Sequence, residues 1–144
     1  MIKVFTSRGD RIAFLAGTLY EKLFEEVYGR MAGAGFPEVR PTHSPVFRHI
    51  RPEGSRASEL AVRARMTKQS MAYLVDDLTR AGLLQSRPDP ADRRARLVSL
   101  TPRGKEAEKT LARLSTQAEG ELAKQIGEEE LEALRSLLRR ANAH

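Results

Sequence analysis

After position 10 the apolar residues recur at helical spacing, through Ile12, Leu15, Ala16, Leu19, Leu23, Val27 and Met31. The stripe predicts a first helix over about 10–33, with Asp10 as its N-cap and the Gly33, Gly35 and Pro37 cluster as its end. Before it, Ile2, Val4 and Phe5 suit either an extended arm or an extra turn. A short second helix takes Val46, Phe47 and Ile50 as its apolar face, Thr42 or Ser44 as its cap and Pro45 in its first turn, with Pro52 and Gly54 beyond its end. Ser55 is the expected cap of a third helix that buries Leu60, Ala61 and Ala64, and Thr67 that of a fourth. Met71, Leu74, Val75 and Leu78 form one face of the fourth helix, and Gly82 stands where a left-handed residue closes it. Two short helices across a tight turn are a helix-turn-helix candidate.

The period then changes. Ser86 to Asp92 is rich in turn residues, and Arg96 to Leu100 alternates polar and apolar as a half-buried strand does. A β-hairpin with a charged tip follows from the two. Thr101-Pro102 opens a long helix that carries Ala107, Leu111, Leu114, Ala118, Leu122 and Ile126 on one side, and Gly127 breaks it. The last helix presents Leu131, Leu134, Leu137, Leu138 and Ala141. The order is α-α-α-α-β-β-α-α, mainly α with one small hairpin. The first helix and the last two carry more apolar stripe than the short middle can cover, so they are expected to pack on a second copy of the chain.

A chain of 144 residues is the length of one ordinary domain, and 40% hydrophobic content builds a core without a metal or disulfides. There is no cysteine, which excludes a disulfide framework, a thiolate metal site and a thiol-based oxidation sensor. No stretch approaches the roughly 18 apolar residues of a membrane span, and the start has no signal-peptide pattern, so a soluble cytoplasmic protein is expected. The net charge of +6 is uneven: residues 1–55 carry +2, residues 56–96 carry +4, and residues 97–144 carry none. A polyanionic partner therefore belongs to the middle of the chain.

The middle is also where the residues resemble a known family. Gly54 to Ala61, Met66 to Met71, Leu74 to Leu78, Gly82 to Leu84, and the run from Arg87-Pro88-Asp89-Pro90-Ala91-Asp92-Arg93-Arg94 to Leu100-Thr101-Pro102-Arg103-Gly104 closely resemble the MarR family of bacterial transcriptional regulators. The match is detailed over 54–104, while the flanking helices match only in arrangement. The resemblance implies one MarR-like domain over 1–144, with a winged helix-turn-helix lobe at 42–101 and dimerisation helices at 10–33 and 102–142. It further implies a homodimer on palindromic double-stranded DNA, in many members released by a small ligand.

The same site follows from physical chemistry. A recognition helix enters the major groove by its N-terminus, which brings Thr67, Lys68, Gln69, Ser70 and, one turn along, Tyr73 to the duplex. Gln69 offers a donor–acceptor pair to adenine, and Lys68 with Arg65 suits phosphate. Thr67 serves equally as a helix cap, and Asp76 and Asp77 are expected to pair with nearby arginines. Arg93, Arg94 and Arg96 cluster at the hairpin tip, where a guanidinium suits a narrow minor groove. By the resemblance Arg94 inserts, and Asp92 holds an arginine or the loop backbone in place. Arg56 either reaches phosphate or forms an ion pair at its helix end.

Rival chemistries find less support. His43 and His49 are six apart and face different sides of a helix, so no metal site is expected. Gly104-Lys105 lacks the first glycine of a phosphate-binding loop, Ser99 standing in its place, and follows a hairpin, the wrong context. Neither an enzyme nor a cofactor is therefore expected. A single-strand binder would interleave aromatics with the basic patch, where only Tyr73 stands. The resemblance places effector sites of the family in the crevice between dimer helices and DNA-binding lobe, which makes Phe14, Tyr20, Phe24, His43, Phe47 and His49 candidates for a small aromatic effector. Core packing is the first reading for most of them, ahead of an effector contact, and a DNA-binding or architectural protein without an effector, or a helical interaction module, stays open.

Overall fold

A computed structural model describes residues 7–143. Ile2, Val4 and Phe5, and with them the choice between arm and turn, lie outside the described residues. Among the described residues the elements follow the expected order, six helices and one hairpin. The first stripe becomes α1 (Ile12–Gly29), shorter than its apolar spacing suggests. Asp10 closes a 3-10 turn, Arg8–Asp10, and does not cap α1. At the other end Gly35 adopts a φ of 98° and the Phe36 amide donates back to the Met31 carbonyl at 2.9 Å, so the chain folds into turns.

A second 3-10 turn, Pro41–His43, leads into α2 (Ser44–His49). His43 holds the cap position there without a side-chain cap bond, so neither Thr42 nor Ser44 caps this helix. Next come α3 (Ala57–Ala64) and α4 (Lys68–Arg80). Ser55 does not cap α3, whose N-cap is Arg56. Ser55 is buried instead and pairs antiparallel with Val98 through N–H···O bonds of 2.9 and 2.8 Å. Its hydroxyl accepts from the Arg51 amide at 3.1 Å and from the Arg63 guanidinium at 3.2 Å. A hydroxyl already committed to two donors at the sheet has nothing left for a helix end.

The hairpin is β1 (Leu84–Asp89) and β2 (Asp92–Leu100), antiparallel, with Leu84 opposite Leu100. Most of the turn-rich stretch is strand, and the turn is only Pro90-Ala91. Pro88 is tolerated because Ser55 pairs with β2 and leaves β1 as an edge. Pro88 lies opposite Arg96 and Asp89 opposite Asp92, so Arg93, Arg94 and Ala95 bulge out of the ladder at the tip. Thr101 opens α5 (Pro102–Ile126), its hydroxyl accepting from the Gly104 amide at 3.0 Å, and Gly127 at a φ of 102° separates α5 from α6 (Glu128–Ala141).

The chain divides into two compact units, with the divisions inside α1 and α5. One unit, residues 28–112, buries Met31, Val46, Leu60, Met71, Leu78 and Leu83 completely. The other, residues up to Val27 and from Arg113 onward, buries Val27, Leu114, Ala118 and Leu122. In that unit Ile12, Leu15, Leu137 and Leu138 are 78%, 51%, 56% and 44% exposed, so much of the leucine stripe is left open. No helix among the described residues is long and apolar enough to cross a membrane.

Candidate nucleic-acid interface

The unit of residues 28–112 holds every basic side chain picked out for DNA contact. α4 begins where Thr67 accepts the Ser70 amide on its hydroxyl at 3.1 Å and donates to the Ser70 hydroxyl at 2.8 Å. Thr67 and Ser70 are thus engaged with each other in capping the helix. Lys68, Gln69 and Tyr73 point outward, Tyr73 at 67% exposure, which removes it from the core. Met71, Leu74 and Leu78 hold the opposite face in the lobe. The turn before α4 runs through Arg65, a non-glycine residue in the left-handed region at φ 54° and ψ 42°. That conformation costs a non-glycine residue about 1 kcal/mol. Arginine there puts an exposed cation beside the helix start.

The arginines of the hairpin divide into tied and untied ones. Arg96 donates to the Ser86 hydroxyl at 2.7 Å and to the Ser86 carbonyl at 3.1 Å, across the ladder. Arg87 donates to the Glu53 carbonyl at 2.9 Å. Arg56 pairs with Asp89 at 2.8 and 2.7 Å, which fastens the wing turn to the start of α3. Arg56 is therefore the ion-pair alternative. The Ala91 amide and then Arg56 hold the Asp89 carboxyl below the usual carboxylate range. Asp92 accepts the Arg94 amide at 3.0 Å, holding the loop backbone. Among the described residues no hydrogen bond or ion pair engages the side chains of Arg65, Lys68, Gln69, Arg93 or Arg94. Asp76 pairs with Arg80 at 2.6 Å, and Asp77 with Arg40 at 2.7 Å and with His43 at 2.6 Å. Free cations and occupied carboxylates thus share one lobe, a pattern that favours a polyanion.

A model of the MarR family matches residues 39–95, which run through α2, α3 and α4 to the wing tip. Over this segment the chain is similar to the MarR family. Solved structures carry the likeness over nearly the whole chain. The transcriptional repressor CouR bound to a 23-mer DNA duplex is 20% identical, with a TM-score of 0.75 over 98% of this chain and 99% of that one. CouR from Rhodococcus jostii RHA1 bound to p-coumaroyl-CoA is 22% identical, at 0.72 over 94% of each chain. Wild-type MarR from E. coli in its apo form is 20% identical, at 0.77 over 92% of this chain and 97% of that one. At such identities the structures show a shared fold. No curated protein sequence matches the chain.

The lobe also shows what spacing alone does not reveal. Arg40, Asp77 and Asp89 brace the lobe beside the candidate interface, and their partners lie 33 to 37 residues away in sequence. Of the effector candidates in this lobe, His43 is 1% exposed and has both ring nitrogens engaged. His49 is half-buried; burial, with the charges of Arg48 and Arg63, keeps it below the ordinary histidine range. In the other unit Tyr20 stacks on Phe24 with ring centroids 5.4 Å apart, and Phe14 is exposed.

The ion pairs make this lobe acid-sensitive. His43 and then Arg40 hold the Asp77 carboxyl below its usual range. A depressed folded pKa contributes stability above the unfolded value of about 3.9, and that contribution is lost as the pH falls through the folded value. The melting temperature should therefore drop as the pH falls below about 4, and Asp77→Asn should shrink that drop while lowering stability at neutral pH. Thermal melts across that window check both, and an Asp77→Asn variant with the full acid response would refute the assignment.

Proposed function

We propose that the chain is a transcriptional regulator that binds palindromic double-stranded DNA as a homodimer, most simply as a repressor that blocks polymerase. The carrying observation is that a helix start and a wing tip of one lobe both present cations without a side-chain partner among the described residues, Arg65 and Lys68 with Arg93 and Arg94. In this reading α4 enters the major groove by its N-terminus, with Gln69 at base edges, Lys68 and Arg65 at phosphates, and Ser70 and Tyr73 alongside. The bulged arginines, Arg94 foremost, take the flanking minor groove. The likeness to CouR on its duplex supports this arrangement. Such a regulator works in the cytoplasm and needs no catalysis of its own.

Selection from random duplex DNA tests the reading. The expected product is a palindrome with half-site centres about 34–36 Å apart, one helical turn, as two-fold dimers require. Recovery of no preferred sequence would overturn it. The open leucine rows at Ile12, Leu15, Leu137 and Leu138 support a second copy of the chain as their cover. Sedimentation at micromolar concentration should give twice the chain mass, and a stable monomer would remove the homodimer. Release by a small aromatic effector completes the reading, supported by the likeness to CouR with p-coumaroyl-CoA. In the unit of residues up to Val27 and from Arg113 onward, Phe14 and the stacked pair Tyr20 and Phe24 are its candidate contacts. Absence of heat when aromatic carboxylates and their thioesters are titrated in, with unchanged duplex binding, would count for a regulator without an effector.

A further inference from the structure

The recognition helix is held at its far end by a polar cluster outside the contact surface. Asp77 lies on α4 one turn beyond Tyr73. Its Oδ2 accepts from the Arg40 guanidinium at 2.7 Å and sits 2.6 Å from His43 Nε2. On the other side of the buried ring, Nδ1 accepts the Arg40 backbone N–H at 3.0 Å. A ring nitrogen that accepts carries no proton. The proton therefore resides on Nε2 and is donated to Asp77, which leaves the imidazole one tautomer and one orientation.

The chain that carries His43 is itself fastened. Arg103, in the first turn of α5, lies over the Phe36 ring at 4.9 Å, donates to the Gly35 carbonyl at 3.1 Å and pairs with Glu38. Phe36 and Val39 are buried. Residues 35–43 thus form a strap tied to α5 at one end and to α4 at the other. The apolar face of α4 (Met71, Leu74, Leu78) keeps the helix in the lobe and sets which face is buried, but apolar contact is non-directional and leaves the fine angle about the helix axis loosely set. Hydrogen bonds to Asp77 are directional. Because Tyr73 and Asp77 are four residues apart, they share a face of the helix, and a turn that displaces one displaces the other.

Building on the DNA-binding reading above, we infer that His43 is a positioning residue for the recognition helix: through Asp77 it sets the angle at which Lys68, Gln69 and Tyr73 meet the duplex, so operator discrimination depends on a side chain that does not touch DNA.

The test uses the full chain, the duplex recovered by selection and a scrambled duplex of the same length. His43→Phe fills the ring's space and removes both hydrogen bonds. It should lower the ratio of selected to scrambled affinity by about tenfold, while scrambled binding, carried by Lys and Arg, stays within about twofold. His43→Gln, with a carbonyl to accept and an amide to donate, should recover most of the ratio. In the wild type, nitrogen-15 NMR of the ring should show the Nε2–H tautomer. A wild-type ratio in folded His43→Phe, failure of His43→Gln to exceed His43→Phe, or the opposite tautomer would overturn the inference. Should His43→Phe not fold, Asp77→Leu, which removes the acceptor at similar volume, takes its place, with the same loss expected and an unchanged ratio decisive against the inference. A wild type that discriminates no duplex at all would instead overturn the DNA-binding reading, and the inference with it.

Discussion

Gly104→Ala should destabilise the lobe by about 3 kcal/mol, lowering its melting temperature by roughly 10–20 °C. Gly104 is buried in the first turn of α5, and a Cβ there would fall far inside van der Waals contact of the Leu83 carbonyl oxygen and 3.1 Å from Leu100 Cδ2. The carbonyl has no room to retreat. It accepts the Thr101 amide at 3.0 Å, and Leu83 is wholly buried. Next to it the Thr101 hydroxyl donates to the Gly82 carbonyl at 2.6 Å and accepts the Gly104 amide at 3.0 Å. The start of α5 is therefore docked backbone against backbone on the segment that joins α4 to β1, and an added methyl must separate the two. Gly120→Ala is the control within the same helix. Nothing lies within 4 Å of its Cβ position, so alanine should stabilise α5 by up to about 1 kcal/mol through helix propensity alone. Thermal melts of both variants check this, and a Gly104→Ala melt within about 2 °C of wild type would remove the close approach.

Element type and order were legible because they rest on periodicity and on local stops. The stripe Met71, Leu74, Leu78 and the cap at Thr67 are contained within α4, and Gly82 and Gly127 take the positive φ that closes a helix. What was not legible depends on partners far along the chain. Ser55 has the composition of a helix cap, yet it is claimed by Val98 and Arg63. Its strand is a single bridge with no alternation to read. Asp10 and Ser44 likewise look like caps, but a 3-10 turn uses the first and the second lies inside its helix. In β1 the residues Arg87-Pro88-Asp89 read as turn by type, and the ladder across to Leu97 and Arg96 overrides that preference.

The candidate site was legible in outline for a related reason. Residues at a helix start and a hairpin tip face outward by their position alone, so Lys68, Gln69, Arg93 and Arg94 could be named from spacing and resemblance. Position does not reveal which cations the lobe already occupies. Arg56 and Arg96 carry the same chemistry as Arg94, and only the fold brings Asp89 and Ser86 to them. Asp77 shows the converse. Its charge argues against phosphate at that point of α4, which was readable, but its role as the anchor for Arg40 and His43 was not.

Replacing Arg93 and Arg94 together by alanine should weaken binding to the selected duplex by about tenfold per arginine and make its salt dependence shallower by about 1 for each phosphate no longer neutralised. Both side chains stand on the bulge at the wing tip with no partner in the lobe, so their removal takes away charge without disturbing the fold. Melting temperatures should accordingly be unchanged. Arg96→Ala makes the informative contrast: its guanidinium is spent on Ser86, so its removal should cost hairpin stability more than duplex affinity. Gln69→Ala separates the second kind of interaction. An amide carries no charge, so the salt slope should stay at its wild-type value while preference at one base pair falls by about 1–3 kcal/mol. Fluorescence-anisotropy titrations from low to high salt, on the selected duplex and on single-base variants, measure all of these together. If the Arg93 and Arg94 double variant kept the wild-type slope, the wing would lie off the duplex. Sequence preference would then have to come from α4 alone, which Gln69→Ala would expose as a much larger drop.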